Sequence, residues 1–136
     1  MRIACGADIV ENKRISDAVS RSDRFLEKNF TPGEIKYCRS KKTLMNQSLA
    51  ARFAAKEAVS KALGTGFCAT VQPIHIEVIN DEKGKPHILL NEQLKARFPD
   101  IMDISVSLSH CKEYSVAYAV ITFKEEQDGS HILSYG

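Results

Sequence analysis

Glu57 and Lys61 stand one helical turn apart in an alanine-rich stretch, RFAAKEAVSKALGTG, at residues 52–66. On a wheel of about 100° per residue, the alanines at 50, 51, 54, 55, 58 and 62 form one broad arc. Glu57 sits at the edge of that arc beside Phe53, with Lys61 next along the same stripe, while Arg52 and Lys56 fall on the opposite side. A carboxylate in that position is partly desolvated and needs a partner. From the helix alone, the favoured reading is an i,i+4 Glu57–Lys61 ion pair on a solvated edge. Asp8, read as the end of a central apolar strand, shifts the balance. Two carboxylates, one on a strand and one on a close-packed helix, can converge on a hard cation. Magnesium takes only one or two protein carboxylates and fills its shell with water and phosphate oxygens. Lys61 would then neutralise a bound phosphate. The GTG at 64–66 is a weak phosphate cradle, since helix ends use the same glycine and no Walker A lysine follows.

Other candidates have equally plain alternatives. His110 closes the strand ISVSLSH on the face of Ile104, Val106 and Leu108, with Ser109 adjacent. It reads either as a satisfied core histidine or as a base or phosphate donor at the sheet edge. DEKGKP at 81–86 is an ordinary hairpin turn, or a backbone and proline surface for a flat ring. Arg14 and Arg21, seven residues apart, share a helix face that Arg24 and Lys28 extend. A solvated basic face is the commoner origin of that spacing. The adjacent His110 and Cys111 would point to opposite sides of a strand, which argues against a catalytic or metal pair.

Positioning these groups takes a specific order of elements. RIACGADIV reads as an opening strand, followed by helical patterns over Glu11–Ser20 and Asp23–Phe30. TPGE at 31–34 marks a helix start, with Thr31 as cap, Pro32 in the first turn and Glu34 completing a capping box. That helix runs to about Ser40, and a longer one spans Leu44–Leu63 with Gly64 ending it. IHIEVIN and HILL make a hairpin around DEKGKP, Asn91–Phe98 is a short helix, and ISVSLSH with YSVAYAVITF makes a closing pair. The sum is α+β: an antiparallel sheet of about five strands with helices on one face. Residues 1–123 are expected to form a single domain and 124–136 a frayed tail.

Composition bounds the function. The chain has 136 residues, 43% hydrophobic and 26% charged, with net charge +2. No apolar run approaches the roughly 20 residues of a membrane span, and the start lacks the layout of a signal peptide, so a cytoplasmic protein is expected. Four scattered cysteines without C-x-x-C read as free, mostly buried thiols. Residues 12–42 carry nine basic and four acidic side chains, leaving the rest net acidic. Such asymmetry fits an acidic partner on the N-terminal third. A nucleic-acid partner is disfavoured, because aromatics are 7% of the chain, Trp is absent and the basics lack interleaved rings.

Five motifs in this order resemble the holo-acyl-carrier-protein synthase family of 4′-phosphopantetheinyl transferases: GADIVE, RFLEKNFTPGE, ARFAAKEAVSKALGTG, EVINDEKGKP and VSLSHCKEYSVAYAV. The resemblance runs from Ile3 to about Ile121. It implies transfer of phosphopantetheine from coenzyme A to a serine of apo acyl carrier protein, with magnesium, or alternatively manganese, as cofactor. It implies Asp8 and Glu57 as metal ligands and Lys61 beside the pyrophosphate. Arg52, Lys61, Ser109 and His110 would contact coenzyme A, with Gly84, Lys85 and Pro86 beside its adenine. Arg14, Arg21 and Arg24 would meet the acidic carrier. Glu57, His110 or a metal-bound water would take the serine proton. The family's short members are homotrimers with active sites between subunits, an arrangement that would bury the alanine arc and the closing strands. Cys111 and the 124–136 tail depart from the family pattern. The competing reading is a non-catalytic module that binds nucleotides or acidic proteins.

Overall fold

Gly6 brings the first strand and the long helix into backbone contact. In the computed structural model, which describes residues 1–124, β1 spans Arg2–Glu11 and the helix called α4 below spans Met45–Ala62. A Cβ at Gly6 would overlap the carbonyl oxygen of Ala58 and come within 2.8 Å of the Ala62 nitrogen. Only glycine allows so close an approach. The helix therefore lies directly on the sheet, and its alanines are the side chains small enough to permit it.

Before it in the chain come α1 (Asn12–Arg21), α2 (Asp23–Asn29) and α3 (Pro32–Ser40); after it come β2 (Ile76–Asn80), β3 (Pro86–Leu90), α5 (Glu92–Arg97), β4 (Ile101–His110) and β5 (Tyr114–Phe123). Ser22, extended at φ −168°, breaks the basic segment between α1 and α2 and caps α2 by accepting from Arg24 N at 3.0 Å. The expected capping box forms: Thr31 accepts from Glu34 N at 3.2 Å, and Glu34 Oε1 accepts from Thr31 N at 3.0 Å. Short 3-10 turns at Lys42–Leu44 and Pro73–His75 account for the later starts of α4 and β2.

All five expected strands are present and antiparallel, divided between a three-stranded and a two-stranded sheet. One has the order β1-β5-β4, and the other is the β2–β3 hairpin. A cleft of about 380 Å³, lined among others by Leu89, Met102 and Ile104, separates β3 from β4 where a continuous sheet would have paired them. This order corrects one expectation: β1 is an edge strand and β5 the central one, and Asp8 lies within β1, not at its end.

The core sits between α4 and the inner face of the three-stranded sheet. Ala54, Ala55, Ala58 and Ala62 pack with Ala117, Ala119 and Ile121 of β5. The alanine arc is thus buried within one chain and needs no neighbouring subunit. The opposite sheet face is uncovered, with Ile3 61%, Ile9 63% and Tyr118 49% exposed.

Two further expectations are corrected. Arg52 and Lys56, placed on the solvent side by the wheel, are buried, because α3 and the β2–β3 hairpin cover that side of α4. Of the four cysteines only Cys38 is buried, while Cys5, Cys68 and Cys111 are exposed and all four are free thiols. No helix among the described residues is long and apolar enough to cross a membrane. The expected tail lies, beyond Lys124, outside the described residues.

Candidate active site

Asp8 projects from β1 on the face that carries α4, and its side chain is 9% exposed. The close approach at Gly6 sets Glu57 and Lys61 beside it. Lys61 Nζ donates to Asp8 Oδ1 at 3.2 Å and to the carbonyl of Ala7 at 3.0 Å. The strand carboxylate, not Glu57, is the acid paired with Lys61, in contrast to the i,i+4 pair read from the helix alone. Glu57 faces Asp8 instead. A proton shared with Asp8, partial burial and the repulsion of the Asp8 charge push its carboxyl up to about 7, against the opposing pull of Lys61 and Arg14. Two neighbouring carboxylates repel unless a proton is shared or a cation offsets their charge, and the direct ion pair of Lys61 is with Asp8.

A second cluster lies on the other side of α4. A cavity of about 580 Å³ is walled by Tyr37 of α3, Ser48 and Arg52 of α4, Asn80 and Gly84–Pro86 of the hairpin, and Val106, Leu108 and His110 of β4, among others. Its size suits a nucleotide-sized ligand. Arg52 stacks over the Tyr37 ring at 4.3 Å, donates from Nη1 to Ser48 Oγ at 3.1 Å, and donates from Nη2 to Asn80 Oδ1. Its Nε is a buried donor without a partner. Asn80 Nδ2 in turn donates to the Gly84 carbonyl at 2.9 Å. Gly84 adopts φ +85°, a left-handed conformation that favours glycine, and Asp81 Oδ1 accepts from Lys83 N and Lys85 N to close the turn.

The sequence-derived candidates therefore divide into two groups. Asp8, Glu57 and Lys61 meet on the β1 side, with Arg14 within electrostatic reach of Glu57. Arg52, Gly84, Lys85, Pro86 and His110 meet around the cavity on the β4 side. Ser109 points to the other face of β4 and is not part of the lining, and neither is Lys61. Asp8 and Leu108 both pair with Ala117 of β5. Two ladder spacings, roughly 10 Å of backbone, thus separate the rows of Asp8 and Leu108. Glu57 is five residues from Arg52, so the two project about 140° apart around α4. Arg21 and Arg24 are exposed on α1 and α2. The reading from sequence passed over Tyr37, Ser48 and Asn80. Of these, only the i,i+4 spacing of Ser48 and Arg52 carried a signal.

Among the described residues no three His, Cys, Asp or Glu side chains gather as a metal cluster. A cation at Asp8 and Glu57 would have two protein ligands, both hard oxygens, which fits magnesium and the remainder of its shell in water or phosphate.

The family model of the 4′-phosphopantetheinyl transferase superfamily matches residues 4–127. The holo-[acyl-carrier-protein] synthase of Ruminiclostridium cellulolyticum is 49% identical over 125 residues, covering 90% of this chain and 93% of that one. The Helicobacter pylori holo-[acyl-carrier-protein] synthase, solved in complex with coenzyme A, superposes with TM-score 0.79 at 34% identity, over 87% of this chain and 99% of that one. The Neisseria meningitidis enzyme superposes with TM-score 0.80 at 31% identity, over 88% and 97% of the two chains. The alternative of a non-catalytic binding module falls away, since these relatives are synthases.

Proposed function

The chain belongs to the holo-[acyl-carrier-protein] synthase family of the 4′-phosphopantetheinyl transferase superfamily, and from that premise we propose how its residues carry the transfer. It is a phosphopantetheinyl transferase. In our reading coenzyme A binds in the Arg52–His110 cavity and magnesium, with manganese as a substitute, binds at Asp8 and Glu57. The observation that carries this reading is the enforced proximity of the two carboxylates, with Glu57 pushed up to about 7. When bound, magnesium supplies charge stabilisation at the pyrophosphate.

The chain's own groups then have distinct work. Arg52, a cation in the cavity wall, suits the phosphate-bearing nucleotide end, and Gly84, Lys85 and Pro86 offer a flat backbone surface to adenine. Lys61 places a second positive charge beside Asp8, where negative charge builds up. The carrier serine oxygen attacks the pantetheine-side phosphorus in line. The bond from that phosphorus to the bridging oxygen breaks, and adenosine 3′,5′-bisphosphate leaves with the electron pair. Glu57 and His110 are the two side chains of this chain offered as acceptors of the serine proton. Arg14, Arg21 and Arg24 form the docking face for an acidic carrier.

The separation of the two clusters to opposite sides of α4 supports a site completed between subunits. The carboxylate edge of one copy would meet the cavity edge of the next, in a homotrimer that also covers the bare sheet face of Ile3, Ile9 and Tyr118. We assign the enzyme to fatty-acid synthesis in the cytoplasm, in keeping with the carrier protein in its relatives' names and with four free thiols. Mixing tests the arrangement. Glu57→Gln and Arg52→Ala should each be inactive alone, and together they should recover bisphosphate release from coenzyme A, because mixed trimers contain intact sites. Absence of recovery in verified mixed oligomers would contradict it.

A further inference from the structure

The proposed transfer leaves one charged pair of the core unused. Lys56 and Glu34 are fully buried, with Nζ 2.7 Å from Oε1. Neither lines the cavity of Arg52 and His110. Lys56 Nζ also donates to the carbonyls of Ile76 at 2.7 Å and Pro73 at 3.0 Å. Glu34 Oε2 accepts from Val78 N at 2.9 Å. Ile76 and Val78 are alternate residues of β2, so their backbone groups face the same edge, the one turned away from β3. An unpaired strand edge presents a row of unsatisfied N–H and C=O groups. Here the two side chains occupy the place of a neighbouring strand, the ammonium on one carbonyl and the carboxylate on the next amide.

The consequence runs along β2 into the cavity. Two residues beyond Val78 is Asn80, whose side chain joins Arg52 to the Gly84 carbonyl. Beyond it the 81–86 turn forms one wall. We infer that the Lys56–Glu34 pair is a positioning device for coenzyme A: it fixes β2 against α3 and α4 and so sets the Arg52–Asn80–Gly84 wall, without contacting the ligand. This rests on the reading of that cavity as the coenzyme A site. An apolar pair of the same volume would fill the space but leave the Ile76 carbonyl and Val78 amide unpaired. Hydrogen bonds from charged groups are also the stronger kind, which suits an element that must hold a fixed depth.

Two variants test this. Glu34→Asp keeps the charge but shortens the reach, so it cannot hold Lys56 and Val78 together. The double variant Glu34→Leu with Lys56→Met removes both charges and leaves neither buried alone, the arrangement cores tolerate best. For either folded variant, coenzyme A KM and calorimetric Kd should rise by about ten-fold, the effect of losing a charge-assisted bond. Both kcat and carrier KM should stay within about two-fold. Amide exchange should quicken over 76–86 while β1 and β5 keep their protection. Unchanged coenzyme A affinity in a folded variant, or exchange that quickens evenly over the chain, would overturn the inference. If the wild-type protein binds no coenzyme A, the cavity assignment fails instead, and the exchange pattern still decides whether the pair positions β2.

Discussion

Glu57 of α4 faces Asp8 of β1, and the Glu57 carboxyl is pushed up to about 7 by a proton shared with Asp8, by partial burial and by the Asp8 charge. The close approach of helix and strand at Gly6 keeps the backbones that carry the two acids near each other.

Stability should therefore depend on pH and metal together. The folded Glu57 carboxyl holds its proton up to about pH 7, whereas the unfolded one releases it near 4.5. Between those values the native state binds more protons, so this group's contribution to stability falls as pH rises through about 7. A divalent cation replaces the proton. Melting temperatures of the metal-free protein should be lower at pH 8 than at pH 5 by an amount that Glu57→Gln removes. Magnesium should raise Tm more at pH 8 than at pH 5. Equal shifts at both values would argue against a metal at this pair.

Gly6→Ala should be among the costliest single-methyl additions in the chain. The new Cβ meets the Ala58 carbonyl and the Ala62 nitrogen, both backbone atoms of α4, so helix and strand must separate. Overpacking of this kind costs about 1–3 kcal/mol or more, read from urea denaturation. The separation also moves Lys61 away from Asp8, so transfer should fall further than stability alone explains. A variant with wild-type stability would show that α4 does not bear on β1 here.

Charge reversal at Arg21 and Arg24 tests the carrier face cleanly. Arg14 is a poorer probe, because it acts on Glu57 electrostatically and its reversal would disturb the carboxylate pair as well. Arg21→Glu with Arg24→Glu should raise carrier KM and flatten its salt dependence, leaving coenzyme A KM unchanged. A loss confined to kcat would place carrier docking elsewhere.

Much of this arrangement was legible in the sequence, for reasons local to each element. Alternating apolar residues marked β4 and β5, and TPGE marked the start of α3, because strand period and capping act over a few residues. Lys56 was not legible. A helical wheel sorts a lysine to the solvent side, and its partner Glu34 lies 22 residues away, already accounted for as a cap. Its burial arises only when α3 and the hairpin fold over α4. The edge position of β1 is likewise a matter of strand order, which no local pattern encodes. The same holds for the site: residue types named Asp8, Glu57 and His110 and the family resemblance added Arg52, but their division between two sides of α4 emerges only from topology.

The most direct test is intact-mass analysis of apo acyl carrier protein incubated with the enzyme, coenzyme A and magnesium. The carrier should gain one phosphopantetheine group on its serine, with adenosine 3′,5′-bisphosphate released in equal amount. Chelation of the metal, or Glu57→Gln, should abolish the gain. A carrier that stays at its apo mass with the wild-type enzyme would contradict the proposed transfer, and full conversion by Glu57→Gln would contradict the metal site.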